Sequence, residues 1–327
     1  MKMWAGVVCV LLVAGARHGW GARRAGVGGG QQAARVVPQK VIIDTDIGDD
    51  IDDAFALGLA LESPELKILE VNSDFGDTAL RARLLVRYLK ATGHGDIPVA
   101  VGVATKRHGT FTQARYAERV PASEVPKLNA VDATLALIRK YPGQITLIGI
   151  GPYANIGAMI DKDPATFRKL KRVVLMGGSI HVGYAEYGVN RYTKLPGPEP
   201  EWNVLNNVAG ARKLLKSGVP VYMMPLDATQ LKLDEVKREE LFRHDSPVTD
   251  QLTLLYHEWG QLTPTLYDPM AVGYAIDPAL CRTTAMRIRV DDKGNTIPVA
   301  GTPNVNVCLR SDAEKFFDFY MARLLAK

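Results

Sequence analysis

The sequence predicts an α/β fold in which an open, mostly parallel sheet is flanked by helices. Short apolar runs, typical of buried strands, alternate with segments whose apolar residues recur at three- and four-residue intervals, typical of helices. In addition, a dense group of acidic residues follows the first apolar run, where a strand would turn into a helix. Alternation of this kind favours a parallel sheet that is covered on both faces.

The predicted strands are rich in Val, Ile and Leu and are separated by helical segments. The strands lie at residues 40–44, 66–73, 97–102, 144–150, 172–177 and 220–226. The helical segments between them are DDAFALGLALES, TALRARLLVRYLKATG, VDATLALIRKYPG, YANIGAMIDKD and NVAGARKLLKSG. The sequence contains no internal repeat and no break that would mark a second domain, so we expect a single domain over residues 36–327.

The first residues have the pattern of a secretory signal peptide. Lys2 supplies positive charge, residues 7–13 form an apolar centre, and residues 14–16 (AGA) are a small-residue cleavage pattern. The apolar run is shorter than the ~20 residues of an ordinary membrane span. We therefore predict a signal peptide at residues 1–16, with an uncleaved anchor as the alternative, and a flexible lead-in at residues 17–35. The mature protein is then expected to be secreted or periplasmic and to have no membrane partner.

The distribution of charge argues against a nucleic-acid partner. The 327-residue chain is 47% hydrophobic and 23% charged, as in ordinary globular proteins, and its formal net charge is +5. Four basic residues fall in positions 1–34, where Asp and Glu are absent, so the rest of the chain carries a formal charge of only +1. A nucleic-acid-binding domain needs a basic face of its own.

Two cysteines, Cys281 and Cys308, follow the predicted signal peptide. They lack CxxC spacing and clustered histidines, which argues against a structural zinc site. Two buried thiols and a single disulfide, the latter in an oxidising compartment, both fit the sequence.

The stretch VIIDTDIGDDIDDAFAL, residues 41–57, contains six aspartates within ten positions. Asp44 ends the predicted strand, Gly48 permits a tight turn, and Asp52 and Asp53 open the next helix, where negative charge is favourable. A helix cap explains one or two carboxylates, whereas six crowded carboxylates would repel one another and raise each other's pKa. Oxygen-only ligands at the carboxyl end of a strand therefore indicate a hard divalent cation, Ca²⁺ or Mg²⁺.

Two other protein classes share parts of this stretch. An EF-hand loop needs Gly at its sixth position and Glu at its twelfth, whereas Gly48 is fifth and Phe55 twelfth when counted from Asp44, so that class is excluded. A haloacid dehalogenase-like phosphatase also begins with an apolar strand that ends in Asp-x-Asp. That pattern does not explain Asp52 and Asp53, but the phosphatase stays the alternative chemistry.

Further motifs make the stretch more specific. DTDIG and DDAFAL resemble the N-terminal signature of the inosine-uridine-preferring nucleoside hydrolases, with Asp50 and Ile51 added between them. More motifs follow in the order of that family: LIGIGPYANIGAMI (147–160), VVLMGGSI (173–180), EWN (201–203), PLDAT (225–229) and YDPMAVGYAIDP (267–278). The resemblance implies a nucleoside hydrolase-like fold with a Rossmann-like core.

Members of this family hydrolyse the N-glycosidic bond of ribonucleosides with one tightly held Ca²⁺. The resemblance therefore implies an exported hydrolase of ribonucleosides or related N-ribosides, in which a calcium-bound water is the nucleophile. The implied metal ligands are Asp46, Asp53, the main-chain carbonyl of Ile150 and Asp268, and water and substrate complete a shell of about six to eight oxygens. Asp46 is also the implied general base.

The resemblance assigns a further set of side chains to the substrate. Asp52, Glu201 and Asn203 are expected to bind ribose hydroxyls. Met176 is expected to pack beside the sugar, and Asn190 to reach the ribose. Such contacts stabilise the oxocarbenium-like sugar that forms on cleavage. The family commonly forms dimers or tetramers, so a homodimer or homotetramer is also expected.

The end of the site that holds the base departs from the family pattern. Where well-known members place a histidine that protonates the departing base, this chain has Tyr267. Tyrosine, with an ordinary pKa of about 10 against about 6.5 for histidine, is a poorer proton donor near neutrality. Tyr267 is predicted as the catalytic residue here, with His108, His181 and His257 as alternative donors. The replacement also motivates a second hypothesis, a non-catalytic calcium-dependent riboside-binding protein.

Other departures leave further alternatives open. The sequence leaves open whether Asp50 replaces Asp52 in the metal or ribose shell. A family asparagine after the second strand is replaced by either Asp74 or Asp77. Residues 179–200 form a longer segment than usual and are suited to form a lid. None of these departures indicates a base preference.

Overall fold

A sheet of mostly parallel strands forms the centre of the protein. The computed structural model describes Met1 and residues 37–106, 111–185 and 197–326, and within them a main sheet has eight strands and a second sheet has two. The strands are β1 Gln39–Thr45, β2 Leu66–Ser73, β3 Val99–Ala100, β4 Thr146–Gly149, β5 Arg172–Met176, β6 Val221–Met224, β7 Thr283–Met286, β8 Ile288–Val290, β9 Thr296–Pro298 and β10 Val305–Cys308.

Helices connect most of these strands. They are α1 Asp52–Leu61, α2 Thr78–Ala91, α3 Ala114–Glu118, α4 Ala130–Lys140, α5 Ala154–Lys162, α6 Pro164–Phe167, α7 Trp202–Asn206, α8 Val208–Lys216, α9 Leu226–Thr229, α10 Glu235–Arg243, α11 Pro247–Trp259, α12 Pro269–Ile276 and α13 Ala313–Leu324. Short 3₁₀ helices occur at Ala122–Glu124 and Pro278–Leu280.

The strand order of the main sheet creates a switch point between β1 and β4. The order is β3-β2-β1-β4-β5-β6-β10-β7, and neighbouring strands are parallel except for β7, which is antiparallel to β10. The chain moves outward from β1 to β3 and then returns to continue on the other side of β1. Sheets of this kind bind ligands outside the carboxyl ends of the strands at such a point. The predicted fold class, an open and mostly parallel sheet flanked by helices, is confirmed.

Buried apolar clusters cover both faces of the sheet. In β1, Val41 and Ile43 belong to one cluster and Ile42 belongs to the other, as the alternation of side chains along a strand requires. Because neither face meets water, the strand has no polar positions in its centre. This explains the continuous Val-Ile-Ile run of the sequence.

The predicted strands and helices correspond to observed elements, and the main differences lie in the C-terminal part. The strand predicted at residues 97–102 is reduced to Val99–Ala100. The elements β7 to β10 were not predicted, because each is only three or four residues long and β7 has no buried residue. Strands this short leave no apolar run in the sequence.

Cys281 and Cys308 form a disulfide, with Cα atoms 5.9 Å apart. Both cysteines are buried. The bond joins the residue after the second 3₁₀ helix to the end of β10. Of the two alternatives that the sequence left open, two buried thiols or a disulfide, the structure has the disulfide.

Residues Val37–Lys327 form one compact unit. The predicted signal peptide at 1–16, apart from Met1, and the predicted lead-in at 17–35 lie outside the described residues and stay predictions. Within the described part of the chain, no helix combines the length and the apolar character needed to cross a bilayer.

Candidate active site

A cavity of about 290 Å³ opens beyond the carboxyl ends of β1, β4 and β5, at the switch point of the sheet. Its volume is near the lower end of the range for small-molecule sites, about 300–1,000 Å³. The cavity brings together every predicted site residue that the structure describes, whereas Asn190 lies outside the described residues. The lining residues are Asp46, Asp49, Asp50, Asp52, Asp53, Ile150, Met176, Tyr184, Glu201, Trp202, Asn203, Tyr267 and Asp268.

The acidic residues lie on the loop between β1 and α1, which folds tightly for local reasons. Gly48 has a φ of +127°, and a Cβ atom there would lie 1.6 Å from the Phe111 ring, so this position requires glycine. The Thr45 hydroxyl donates to the Asp53 carboxylate and accepts from the Ile47 main-chain N–H at 3.1 Å. These contacts turn the chain so that aspartates from both sides of the loop face the cavity.

A buried arginine of α2 holds the same loop from behind. The Arg81 guanidinium donates to the main-chain oxygens of Asp46, of Ile47 at 2.9 Å and of Phe75 at 2.8 Å. It also forms an ion pair of 2.9 Å with Asp49. Sequence reasoning missed Arg81, because an arginine within a helical segment that contains several basic residues has no local feature that marks it as buried.

Three carboxylates form the most compact group in the cavity. Asp52 and Asp53 begin α1 and Asp268 precedes α12, and one oxygen from each lies within 4.8 Å of the others. Burial raises the pKa of all three well above the ordinary value. Neighbouring carboxylates raise these pKa values further, chiefly Asp50 for Asp52, Asp46 for Asp53, and Asp52 for Asp268.

This donor set fits a hard divalent cation. The three buried groups offer only oxygen, which suits Ca²⁺ or Mg²⁺ better than zinc. Arg81 lowers the pKa of Asp46 and Asp53, but its guanidinium is already paired with Asp49. A cation between Asp53 and Asp268 would offset the repulsion that otherwise disfavours their charged forms.

Two further predicted metal ligands line the same cavity. Burial raises the pKa of Asp46 to about 7, although Asp46 is not part of the three-carboxylate group. The Ile150 carbonyl, directly after β4, accepts a hydrogen bond from Asn203 Nδ2 at 3.4 Å. Gly151 lets these two segments approach, because a Cβ atom there would lie 2.9 Å from the Asp46 nitrogen. By contrast, Asp52, which was predicted as a ribose ligand, belongs with Asp53 to the three-carboxylate group.

The EWN element, residues 201–203, forms another part of the cavity lining. Glu201 caps α7, and its carboxylate accepts from the main-chain N–H groups of Gly178 at 2.9 Å, Asn203 at 2.8 Å and Val204 at 3.1 Å. Burial nevertheless raises the pKa of Glu201 to about 7. Asn203 Nδ2 also donates to the Met176 carbonyl at 3.3 Å. The sequence predicted all three residues as substrate contacts, and the hydrogen bonds show that they also stabilise one another.

Aromatic side chains form the remaining wall. Tyr267 is buried and lies edge-on to Tyr184, with ring centroids 6.0 Å apart. Trp202 is 40% exposed and therefore borders the solvent. Among the described residues no histidine lines the cavity: His181 and His257 are exposed and lie elsewhere. His108 is outside the described residues.

A buried polar group behind the cavity ties the strand ends together. Asn155 of α5 donates to Asp44 at 2.8 Å and to the Ser73 carbonyl at 3.0 Å. Asp74 accepts from the main-chain N–H groups of Phe75 at 2.9 Å and Ala154 at 3.2 Å. Of the two acids proposed to replace the family asparagine, neither borders the cavity: Asp74 is buried behind it, and Asp77 is an exposed cap of α2.

Comparison with known proteins identifies the family. The model of a family described as inosine-uridine preferring nucleoside hydrolase matches residues 41–318. The chain belongs to this nucleoside hydrolase family. The pyrimidine-specific ribonucleoside hydrolase RihA of Citrobacter koseri is 28% identical over 316 residues, which is 87% of this chain and 97% of that protein.

Solved structures agree with the family assignment. A plant nucleoside hydrolase, the PpNRh1 enzyme, is 25% identical and superposes with a TM-score of 0.77 over 89% of this chain and 100% of that one. A purine-preferring ribonucleoside hydrolase from Gardnerella vaginalis, 23% identical, has the same fold, with a TM-score of 0.71 over 88% of this chain and 98% of that one.

Membership of the nucleoside hydrolase family answers part of the question of function. The chain is a hydrolase of the class that acts on N-glycosyl compounds, which argues against both the phosphatase and the non-catalytic binding protein. The family is metal-dependent, and the carboxylates of this chain are suited to bind a metal ion.

Proposed function

We propose that this nucleoside hydrolase uses Ca²⁺ to cleave the N-glycosidic bond of ribonucleosides or related N-ribosides, with a calcium-bound water as nucleophile. The observation that carries the proposal is the group of buried carboxylates Asp52, Asp53 and Asp268 inside a cavity that also has an aromatic wall. Of the hard cations, Ca²⁺ is favoured because it accepts an irregular shell of about six to eight oxygens, whereas Mg²⁺ demands near-octahedral geometry.

Some side chains of the cavity would bind the metal, and others would bind the sugar. Asp53, Asp268, Asp46 and the Ile150 carbonyl would hold the cation, which when bound lowers the pKa of a coordinated water and orients it. Asp46 is the general base: its carboxylate takes the proton of the attacking water while the water oxygen bonds to the anomeric carbon and the bond to the base breaks. The electron pair of that bond goes to the nitrogen of the departing base.

The ribose is held from two sides. Asp52 lies beside the proposed metal ligands, and Glu201 and Asn203 line the same cavity, where Asn203 Nδ2 donates to the carbonyl of Met176, the last residue of β5. Anionic oxygens around the ring stabilise the positive charge that develops on the sugar. Asn190 is proposed as a further ribose contact on the basis of the family resemblance alone.

The leaving base needs a proton, and Tyr267 is the proposed donor. Its ring belongs to the aromatic part of the cavity lining, beside Tyr184, and no histidine among the described residues lines the cavity. The base preference stays open, since the names of related proteins include both pyrimidine-specific and purine-preferring hydrolases.

We also propose that the protein is exported, to the periplasm or the medium. The signal-like pattern of residues 1–16 supports this location, as does the disulfide between Cys281 and Cys308, since disulfides persist in oxidising compartments. The catalytic unit is then a single domain over residues 36–327, and the family resemblance supports a homodimer or homotetramer. N-terminal sequencing of the exported protein and light scattering of the purified protein test these points.

A reducing-sugar assay over a panel of nucleosides tests the proposed reaction. We expect release of free ribose, loss of release after chelation, and recovery on addition of Ca²⁺ in preference to Mg²⁺ or Zn²⁺. Asp46→Asn should abolish turnover, whereas Asp292→Asn, which alters a side chain that is 94% exposed, should not. Failure of every nucleoside to release ribose would refute the proposal, and recovery with Zn²⁺ alone would refute the choice of metal.

A further inference from the structure

Tyr184 joins the aromatic residues of the cavity. Its ring meets Tyr267 edge-on, and its hydroxyl accepts a hydrogen bond of 2.9 Å from the main-chain N–H of Trp202. The rest of the lining is mainly acidic and suits a cation and a sugar. A nucleobase is flat and aromatic, so the wall formed by Tyr184, Trp202 and Tyr267 is the part of the cavity that can stack against it.

Tyr184 lies in a segment without regular structure, Gly177 to Ala185, that follows β5. Irregular segments lose considerable conformational entropy when they adopt one shape, about 1–2 kcal/mol per residue. Here, side chains from other elements bind the main chain at successive positions. Thr296 of β9 bonds both the N–H and the carbonyl of Ser179 at 2.8 Å, and Asp227 of α9 accepts from the next two N–H groups at 2.9 Å.

One side chain binds the main chain on both sides of Tyr184. Gln230, directly after α9, accepts from the Ala185 N–H at 2.6 Å and donates to the Gly183 carbonyl at 3.2 Å. Its amide nitrogen also donates to the Leu226 carbonyl at 2.9 Å, which anchors the side chain to α9. The amide can accept and donate in this way, whereas an ionised carboxylate has no proton to give and an aliphatic group has neither function.

The main-chain N–H of Tyr184 also has a hydrogen-bond partner. Its N–H donates to Glu199 Oε1 at 2.7 Å. Gly183 must be glycine for this contact to form, since a Cβ atom there would lie 2.3 Å from the same carboxylate oxygen.

We propose that Tyr184 is a substrate-binding residue that contacts the nucleobase, and that Gln230 is the positioning residue that sets the place of Tyr184. This inference rests on the proposed function and adds the class of contact at the base end. Gln230 is absent from the cavity lining, so its effect on the substrate passes through Tyr184.

The proposal predicts different effects on the two Michaelis parameters. Tyr184→Ala should raise KM for uridine and inosine roughly 5- to 150-fold, as expected when one base–aromatic contact is removed. Gln230→Leu should raise KM about 2- to 10-fold, the range for lost hydrogen bonds, with a smaller change in kcat. Gln230→Glu should resemble Gln230→Leu, because the donor to Gly183 is lost in both. The matched control is Gln251→Leu on α11, which removes the acceptor of the Tyr116 hydroxyl of α3 and should leave KM unchanged.

A double-mutant cycle decides whether Gln230 acts through Tyr184. In the double variant, Gln230→Leu should add nothing to the effect of Tyr184→Ala. Multiplicative effects, or a wild-type KM in Gln230→Leu, would overturn the positioning role, and a wild-type KM in Tyr184→Ala would overturn the base contact.

The Kd for both nucleosides, measured by calorimetry on the same variants in an Asp46→Asn background with Ca²⁺ present, tests the contact independently of turnover. If the wild-type protein binds nucleosides but releases no ribose, the proposed function fails while the cycle in Kd still decides the proposal. If the wild-type protein binds neither nucleoside, the proposal is overturned together with the proposed function.

Discussion

The replacement of Arg81 by methionine should destabilise the protein more than any change to a surface ion pair. Arg81 is 1% exposed, and it holds the loop between β1 and α1 through the carbonyls of Asp46 and Ile47 and through Asp49. Methionine has a similar length and fits among apolar neighbours, but it leaves these groups without their donor. The Asp49 side chain is 20% exposed, so water reaches it only in part.

The expected loss in the free energy of unfolding is about 3–5 kcal/mol, the cost of breaking a buried ion pair by removing one partner. The partial exposure of Asp49 favours the lower end of this range. For a domain of this size, about 3 kcal/mol corresponds to a fall in Tm of roughly 6–12 °C. Arg81→Lys keeps the charge but cannot reach all four acceptors, so its loss should be intermediate.

Urea denaturation and scanning calorimetry of the metal-free proteins measure these changes. Arg139→Met is the control, because its ion pair with Asp163 is exposed, with 52% and 27% of the side chains accessible. Pairs of this kind contribute at most about 1 kcal/mol. If Arg81→Met is no less stable than Arg139→Met, the conclusion that this arginine supports the loop between β1 and α1 is wrong.

Four further outcomes follow from the structure. Ca²⁺ at about 100 times its Kd should raise the free energy of unfolding by about 2.7 kcal/mol, and Asp268→Asn should remove this gain in calorimetry, while an undiminished gain would exclude Asp268 as a ligand. Burial raises the pKa of Glu70 to about 7, so the folded state binds more protons than the unfolded state between pH 4.5 and 7, and stability falls as pH rises through that range. In urea titrations, Glu70→Gln should weaken this fall and raise the free energy of unfolding at pH 8 by up to about 3 kcal/mol. An unchanged pH profile of stability would contradict the raised pKa of Glu70. Loss of the disulfide in a Cys281→Ser, Cys308→Ser variant should lower the free energy of unfolding by about 3 kcal/mol in urea denaturation. Reduction of the wild-type protein should lower it by at least as much. Tyr267→Phe keeps the ring and should lower kcat about 100-fold if its hydroxyl protonates the base, whereas a change of less than about twofold in steady-state assays would exclude that role.

Local sequence was sufficient for the central strands and for the position of the acidic loop. The Val-Ile-Ile run of β1 is buried on both faces, and such strands leave a continuous apolar signal. The aspartates that follow it were recognisable because crowded like charges need a partner. Asp268 was placed with them by family resemblance alone, since no local signal joins two segments more than two hundred residues apart.

Other features had no signal in the sequence. Arg81, Gln230 and Thr296 are polar residues within or beside ordinary helices and strands, and their importance comes from main-chain groups that lie far away in sequence. The choice between Asp74 and Asp77 was open for the same reason. Both follow the second strand, but only Asp74 is turned inward, where Ala154 of α5 supplies a donor.

The sequence by itself determined the alternation of strands and helices, the oxygen-rich metal chemistry and the family, because periodicity and residue type are local properties of the chain. Only the tertiary structure decided which carboxylates converge, that Cys281 and Cys308 pair, and that aromatic residues line the same cavity as the acids. Those outcomes depend on strand order and on the packing of helices across the switch point. Each combines contributions from elements distant in the chain, so no single stretch of sequence contains them.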